Sequence, residues 1–121
     1  MKDDFEIMFF EDLRRRMPED VEVLKILGDH YTKCGRHQDG LEVDRLLARL
    51  LPQEALVHYN LACSLALVGD VRESAEAITK SFHLGYCDWD YLKKDEDLEN
   101  LRASAEFEKI KTLFYSQKHA K

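Results

Sequence analysis

Four side chains that can bind a metal ion lie close together in the sequence: Asp29, His30, Cys34 and His37. His30 and Cys34 are one helical turn apart, so both could reach one ion, and His37 could return from the following turn. The sequence lacks the second Cys/His cluster that would complete a structural zinc site. We therefore interpret the two histidines as surface residues and Cys34 as a packed thiol, and we expect no metal and no cofactor.

The motifs that identify common enzymes are absent from the sequence. It contains no glycine-rich phosphate loop, no H-E-x-x-H motif and no nucleophile elbow. The neighbouring acids Asp95, Glu96 and Asp97 could provide acid and base groups, but in an acidic helical protein we interpret them as a solvated loop. We expect no enzymatic activity.

The net charge and the cysteine content indicate which partners the protein binds and in which cellular compartment it lies. A net charge of −6 disfavours a nucleic-acid or anionic-membrane partner. Three cysteines, an odd number with no C-x-x-C pair, suit a reducing compartment better than a disulfide framework. The first residues are acidic where a signal peptide is basic, and the apolar-rich run 61–68 is too short to span a membrane. We predict a cytoplasmic protein.

Apolar residues at three- and four-residue spacing predict an all-α chain. Pro18, Gly35, Pro52, Gly69 and Gly85 separate the predicted helices. The fourth helix is apolar on nearly every side, so other elements should pack against several of its faces. The first predicted helix has its N-cap at Asp3 or Asp4 and ends near Arg16. The next four cover about 21–33, 38–51, 55–68 and 72–84, and a final helix runs from an N-cap at Ser104 to about Gln117.

A period of 34 residues relates the middle of the chain to itself. The matching pairs are Pro18 with Pro52, Val23 with Val57, Leu27 with Leu61, Gly35 with Gly69, and Leu50 with Leu84. The segments 21–54 and 55–88 therefore share one helix–turn–helix plan. One such pair cannot bury its apolar face alone, so the pairs must stack.

This pattern resembles the tetratricopeptide repeat. The matching residues are Leu27, Gly28, Tyr31, Gly35 and Pro52 in the first segment, and Leu61, Ala62, Gly69 and Ile78 in the second. The resemblance implies a short right-handed superhelix of antiparallel helix pairs in a single domain, 1–121. Its parts would be a half-repeat helix at 4–18, repeats at 21–54 and 55–88, a capping segment at 89–117 and a tail at 118–121.

The resemblance also implies a protein- or peptide-binding adaptor, because the first helices of such pairs line a concave groove. We predict that the partner contacts Lys25, Asp29, Leu56, Tyr59, Asn60 and Cys63, and by the same register Glu22, Thr32, Lys33 and Leu67 face the groove. Asn60 matches the asparagine that commonly binds ligand backbone in this family. Lys25 matches one cation of the family's carboxylate clamp, but Asp29 stands where that clamp has an asparagine, which argues against a clamp.

The sequence leaves three questions open. Asp44 occupies a position that is apolar in the family, so it either forms a salt bridge, turns outward with its helix, or lies exposed on the binding surface. The second apolar face of the fourth helix is covered by the terminal helix or by a partner. The chain could instead be a structural self-association unit that forms a homodimer through its first helix or through the ends of the solenoid. The first helix carries Phe5, Met8 and Phe9 outside its core face.

Overall fold

The computed structural model describes the backbone of residues 2–118 and the side chains of residues 4–117. Within that range the chain forms α-helices and one 3-10 turn, with no strand, which confirms the all-α prediction. None of these helices is long and apolar enough to cross a membrane. The helices are α1 (Lys2–Arg16), α2 (Val21–Lys33), α3 (His37–Leu50), α4 (Ala55–Leu67), α5 (Val71–His83), α6 (Trp89–Lys94), α7 (Glu99–Arg102) and α8 (Glu106–Lys118), and the 3-10 turn is Glu96–Leu98. Of the predicted tail 118–121, the last three residues lie outside the described range.

Consecutive helices pack against one another along the chain. α1 contacts α2, α2 contacts α3, α3 contacts α4, and α4 contacts α5. The predicted pairs are therefore α2–α3 and α4–α5, and each helix of a pair covers the apolar face of its neighbour. The fold is an all-α helical repeat.

Local signals account for several of the helix ends. The Asp20 carboxylate accepts a hydrogen bond from the Val23 amide at 3.1 Å, as predicted for an N-cap. Gly35 and Gly69 follow the equivalent helices α2 and α4 with φ of 80° and 92°, a left-handed conformation that favours glycine.

Two predicted N-caps are wrong. α1 begins at Lys2, so Asp3 and Asp4 lie within its first turn. The Ser104 hydroxyl donates a hydrogen bond to the Leu101 carbonyl oxygen at 2.7 Å, and α8 begins only at Glu106. Ser104 therefore closes the turn after α7 and does not cap α8.

The core consists of two clusters of buried side chains. The first joins α1, α2, α3 and the start of α4, and it includes Ile7, Leu24, Leu27, Val43 and Val57. α3 comes close to α2 at Gly28, where a Cβ atom would lie 3.4 Å from Val43 Cγ1, at the short limit of van der Waals contact. The second cluster joins α4, α5 and the carboxyl-terminal segment, and it includes Leu65, Ile78, Phe82, Leu92 and Leu98.

Residues 89–117 cover the outer side of the second helix pair. The Trp89 ring stacks on Phe107 at 5.7 Å and on Phe114 at 4.8 Å between ring centroids. α8 packs on α5 and α7, whereas the 3-10 turn packs on α4. The Arg102 guanidinium donates hydrogen bonds to the carbonyl oxygens of Leu92, at 2.9 Å, and Asp95, at 2.7 Å, which fixes the path of the chain between α6 and α7.

Candidate binding groove

A cavity of about 730 Å³ lies between α2, α4 and the segment 86–97. We call it the groove. Its lining includes all six side chains predicted to contact a partner: Lys25, Asp29, Leu56, Tyr59, Asn60 and Cys63. Thr32 also lines it, whereas Glu22, Lys33 and Leu67, which the register also predicts to face it, are not part of the lining.

The repeat explains why these side chains meet. Lys25 and Asp29 are one turn apart on α2, and Tyr59 and Cys63 occupy the equivalent positions on α4. Because α2 and α4 begin consecutive pairs, they present the same face to the same side of the array. Equivalent positions therefore carry charged side chains on one wall and an aromatic ring with a thiol on the other.

Two side chains of α4 are accessible in the groove. Leu56 is 63% exposed. Asn60 is also exposed, and its amide has no hydrogen-bond partner among residues 2–118. The amide can therefore serve both the donor and the acceptor groups of a bound chain.

Tyr59 and Cys63 face the groove but are enclosed by the chain itself, with only 3% and 7% of their surfaces exposed. The Tyr59 ring stacks on Tyr86 at 4.5 Å. The Tyr59 hydroxyl donates a hydrogen bond to Asp95 at 2.7 Å, and the Cys63 sulfur lies 3.6 Å from the same carboxylate. Burial, and then the Asp95 carboxylate, raises the pKa of both groups well above its usual value. Both side chains therefore stay neutral and hold the segment 86–97 against α4.

This arrangement answers the question of what covers the second apolar face of α4. The terminal helix α8 packs mainly on α5 and α7. Tyr86, Tyr91 and Asp95 cover Tyr59. The amino-terminal half of the α4 face, at Leu56 and Asn60, stays open.

Asp44 forms neither a salt bridge nor an exposed contact surface. It is 8% exposed at the floor of the groove, and it accepts a hydrogen bond from the Ser64 hydroxyl. Burial raises the pKa of Asp44 to about 6, and the Ser64 hydrogen bond opposes that rise. α3 therefore keeps its inward orientation at this position, because a hydroxyl on α4 meets the carboxylate.

The four side chains that the sequence offered as metal ligands have separate surroundings in the structure. Asp29 pairs with Lys33 at 2.9 Å, and His30 lies 3.4 Å from Glu6. The Cys34 thiol, expected to be packed, belongs to an exposed residue, and its sulfur lies 3.7 Å from the Tyr31 carbonyl oxygen. His37 is half-buried, and its Nδ1 atom is buried with no hydrogen-bond partner among the described residues.

A different group has its ligand atoms within 4.8 Å of one another, namely Cys63, Asp95 and Asp97. A thiol binds metal as the thiolate, and burial raises the pKa of the Cys63 thiol. This environment disfavours a cation held through Cys63.

Sequence reasoning missed the wall of the groove that the segment 86–97 contributes. The interpretation of Asp95 and Asp97 as a solvated loop is wrong, because both are half-buried, and Asp95 also accepts a hydrogen bond from the Asp97 amide at 3.0 Å. Tyr86 and Tyr91 are ring partners of Tyr59 that no sequence pattern singled out. A cluster of tyrosines and acids directly after the last repeat was the available signal.

Comparison with known proteins adds a partial relationship. No family model matches this chain. Over 90 residues, 72% of the chain, it is 31% identical to a chloroplastic protein from Arabidopsis thaliana. The matched region is 27% of that protein, so the chain spans about a quarter of the length of this relative.

Proposed function

We propose that this chain is a non-enzymatic adaptor of the tetratricopeptide-repeat type, which binds an extended segment of another protein in the groove. One observation carries the proposal: the exposed Asn60 amide, without a hydrogen-bond partner among residues 2–118, stands beside the exposed Leu56 in a cavity of about 730 Å³. An amide next to an apolar side chain suits a peptide, since it can pair with the backbone while a neighbouring side chain is buried.

The identity of the scaffold as a right-handed tetratricopeptide superhelix is part of this proposal. It is supported by the 34-residue period, by the close approach of α2 and α3 at Gly28, and by the left-handed glycines at the ends of α2 and α4. We also propose a reducing compartment such as the cytoplasm, which fits three free cysteines.

Site-specific photocrosslinking tests the groove as the binding surface. A photoreactive amino acid would replace Leu56, and a matched control would carry it at Glu76, an exposed position of α5 outside the groove. We expect a partner to be captured from Leu56 and not from Glu76. Equal capture at both positions, or capture at Glu76 alone, would contradict the proposal.

Once a partner segment is known, Asn60→Ala gives a quantitative test. Asn60 is exposed, so its removal should leave the melting temperature unchanged while the affinity falls about tenfold, the size of one lost hydrogen-bonding group. An unchanged affinity, measured by isothermal titration calorimetry, would mean that the partner binds elsewhere.

A second candidate function is self-association through α1. The observation that favours it is the exposed apolar outer face of that helix, where Phe5 is 73% exposed and Met8 and Phe9 are also accessible. Light scattering should then detect a dimer that dissociates on dilution and is lost in Phe9→Asp. A monomer at all concentrations would rule out this alternative.

A further inference from the structure

The groove has an acidic lining. Among the described residues that line it, six are aspartate or glutamate and one, Lys25, is a lysine. Lys25 lies 3.8 Å from Glu54, and Asp29 lies 2.9 Å from Lys33. The lining carboxylates are Asp29, Asp44, Glu54, Asp88, Asp95 and Asp97.

Three of these carboxylates are engaged by uncharged donors. Asp44 accepts from Ser64, Asp88 accepts from the Tyr91 amide at 3.0 Å, and Asp95 accepts from the Tyr59 hydroxyl. Asp95 and Asp97 also have oxygens within 4.8 Å of each other. Burial, and then the charge of Asp95, raises the pKa of Asp97, so the Asp95 carboxylate disfavours a negative charge on Asp97. A cation placed between them would relieve that repulsion.

A carboxylate with little exposed surface also lines the cavity. Asp44 is 8% exposed, and its Oδ2 atom is the one that accepts from Ser64. Its Oδ1 atom has no donor among residues 2–118, and it lies on the Gly28 side, 3.5 Å from the position that a Cβ atom at Gly28 would occupy. A ligand that donates a hydrogen bond has an acceptor in this oxygen.

Aromatic rings stand next to the acids. Tyr91 is 55% exposed, and its ring centroid lies 6.2 Å from that of Tyr59, which in turn stacks on Tyr86. The ring faces attract a guanidinium or ammonium group, and the nearby carboxylates strengthen that attraction. A combined tyrosine and carboxylate wall favours arginine or lysine side chains over neutral ones.

We infer that the groove binds a basic, extended segment of a partner protein, with arginine or lysine side chains set against Tyr91, Asp95 and Asp97. This inference rests on the proposed function, since it assumes that the groove is the binding surface. It reverses the polarity of a carboxylate clamp, in which the groove is basic and the peptide acidic. Lys25, which also lines the groove, would oppose binding rather than promote it.

Fluorescence anisotropy with defined peptides tests the inference. The probe is a fluorescein-labelled ten-residue peptide of alternating arginine and serine, and the comparison peptide has glutamate in place of arginine. We expect the arginine peptide to bind more weakly as salt rises and the glutamate peptide not to bind. Binding of the glutamate peptide alone, or of neither peptide, would overturn the charge inference. A crosslink from Leu56 would still support the groove in that case.

Variants of equal net charge separate the groove from the general acidity of the chain. The double variant Asp29→Asn/Asp97→Asn removes two lining charges, and the control Glu19→Gln/Glu76→Gln removes two exposed charges outside the groove. We expect the groove variant to bind the arginine peptide about tenfold more weakly, and the control to lose about twofold or less. Equal losses would assign the binding to the protein's overall charge.

Lys25→Glu provides a test that does not depend on altering the half-buried acids. It should tighten binding of the arginine peptide severalfold, because it replaces a repelling cation with a carboxylate. If the groove bound carboxylates instead, Lys25 would attract the ligand, and the same substitution would weaken binding of an acidic peptide. Weaker binding of the arginine peptide would overturn the inference. A second copy of the chain seated in the groove would appear as a dimer that the arginine peptide dissociates, and this result would also overturn it.

Discussion

The two helix pairs share a scaffold but differ in what they present. At scaffold positions the residues match or stay small, as with Leu27 and Leu61, or Gly28 and Ala62. At groove positions they do not match, since Lys25 and Asp29 in α2 correspond to Tyr59 and Cys63 in α4. The first pair offers an exposed charged wall, and the second offers a wall that Asp95 and Tyr86 enclose. The residues that repeat with the 34-residue period determine the backbone, whereas the groove chemistry comes from positions at which the two pairs differ.

The largest difference between the pairs should appear at the matched leucines. Leu27 is fully buried, whereas Leu61 is half-buried beside the second core cluster. We expect Leu27→Ala to lower the free energy of unfolding by about 2–5 kcal/mol, because it leaves a cavity, and Leu61→Ala to lower it by about half as much. Urea denaturation of both variants measures this, and equal losses would mean that the two pairs are packed alike.

Asp44 in α3 and Ile78 in α5 occupy equivalent positions of the two pairs, and Asp44 is the one that can change its charge with pH. The pKa of Asp44 is raised by burial from 3.8 to about 6. The folded state therefore binds the proton more tightly than the unfolded state. The resulting stabilisation is complete below pH about 4 and is lost as the pH rises through about 6.

Between pH 4 and pH 7 this loss should amount to about 2 kcal/mol relative to Asp44→Asn, which does not titrate. The control Ile78→Val should lose about 0.5–1.5 kcal/mol equally at both pH values. The measurement is the free energy of unfolding in urea at each pH. If wild type and Asp44→Asn vary with pH in the same way, the carboxylate does not titrate in the buried site.

The segment 86–97 should be held more firmly against the groove than the ion pair between Lys25 and Glu54 holds α2. Asp95 accepts hydrogen bonds from Tyr59 and from the Asp97 amide, whereas Glu54 meets Lys25 at 3.8 Å near the surface. We expect Asp95→Ala to cost about 1–3 kcal/mol and Glu54→Ala less than about 1 kcal/mol. Thermal unfolding, with tyrosine fluorescence to follow Tyr59 and Tyr86, checks both. A larger loss in Glu54→Ala would reverse this ranking.

The loss of stability on replacing the glycine that ends the first helix of each pair should be small and equal in the two pairs. Gly35 and Gly69 have φ of 80° and 92°, and a Cβ atom at either would meet nothing within 4 Å. Gly35→Ala and Gly69→Ala should each cost about 1–2 kcal/mol, since only the backbone conformation is penalised. Circular dichroism during thermal unfolding measures both. Costs that differ by more than about 1 kcal/mol would indicate that the two turns are not equivalent.

Local signals explain how far the sequence predicts this fold. The predicted range 21–33 matches α2 because Asp20 caps its start and Gly35 follows its end. The partner of Asp44 was not predictable in the same way. Ser64 lies 20 residues away, and the contact depends on how α3 meets α4.

The candidate groove was predictable in part. Its α2 and α4 walls follow from the repeat, so the positions of Lys25, Asp29, Leu56 and Asn60 could be predicted from their register. The third wall could not, because the period stops before Trp89 and the path of 89–98 depends on long-range packing. The hydrogen bond from Tyr59 to Asp95 joins residues 36 apart, across that break.

If a basic extended segment binds in the groove between α2, α4 and the segment 86–97, as we propose, the backbone amides along the groove should respond to it. The most direct measurement is nuclear magnetic resonance of the isotope-labelled chain during titration with the arginine–serine peptide. We expect the largest changes in the chemical shifts of the backbone amides at 25–29, 56–63 and 88–97. Shifts that concentrate on α1, or that spread evenly over the acidic surface, would contradict the proposal.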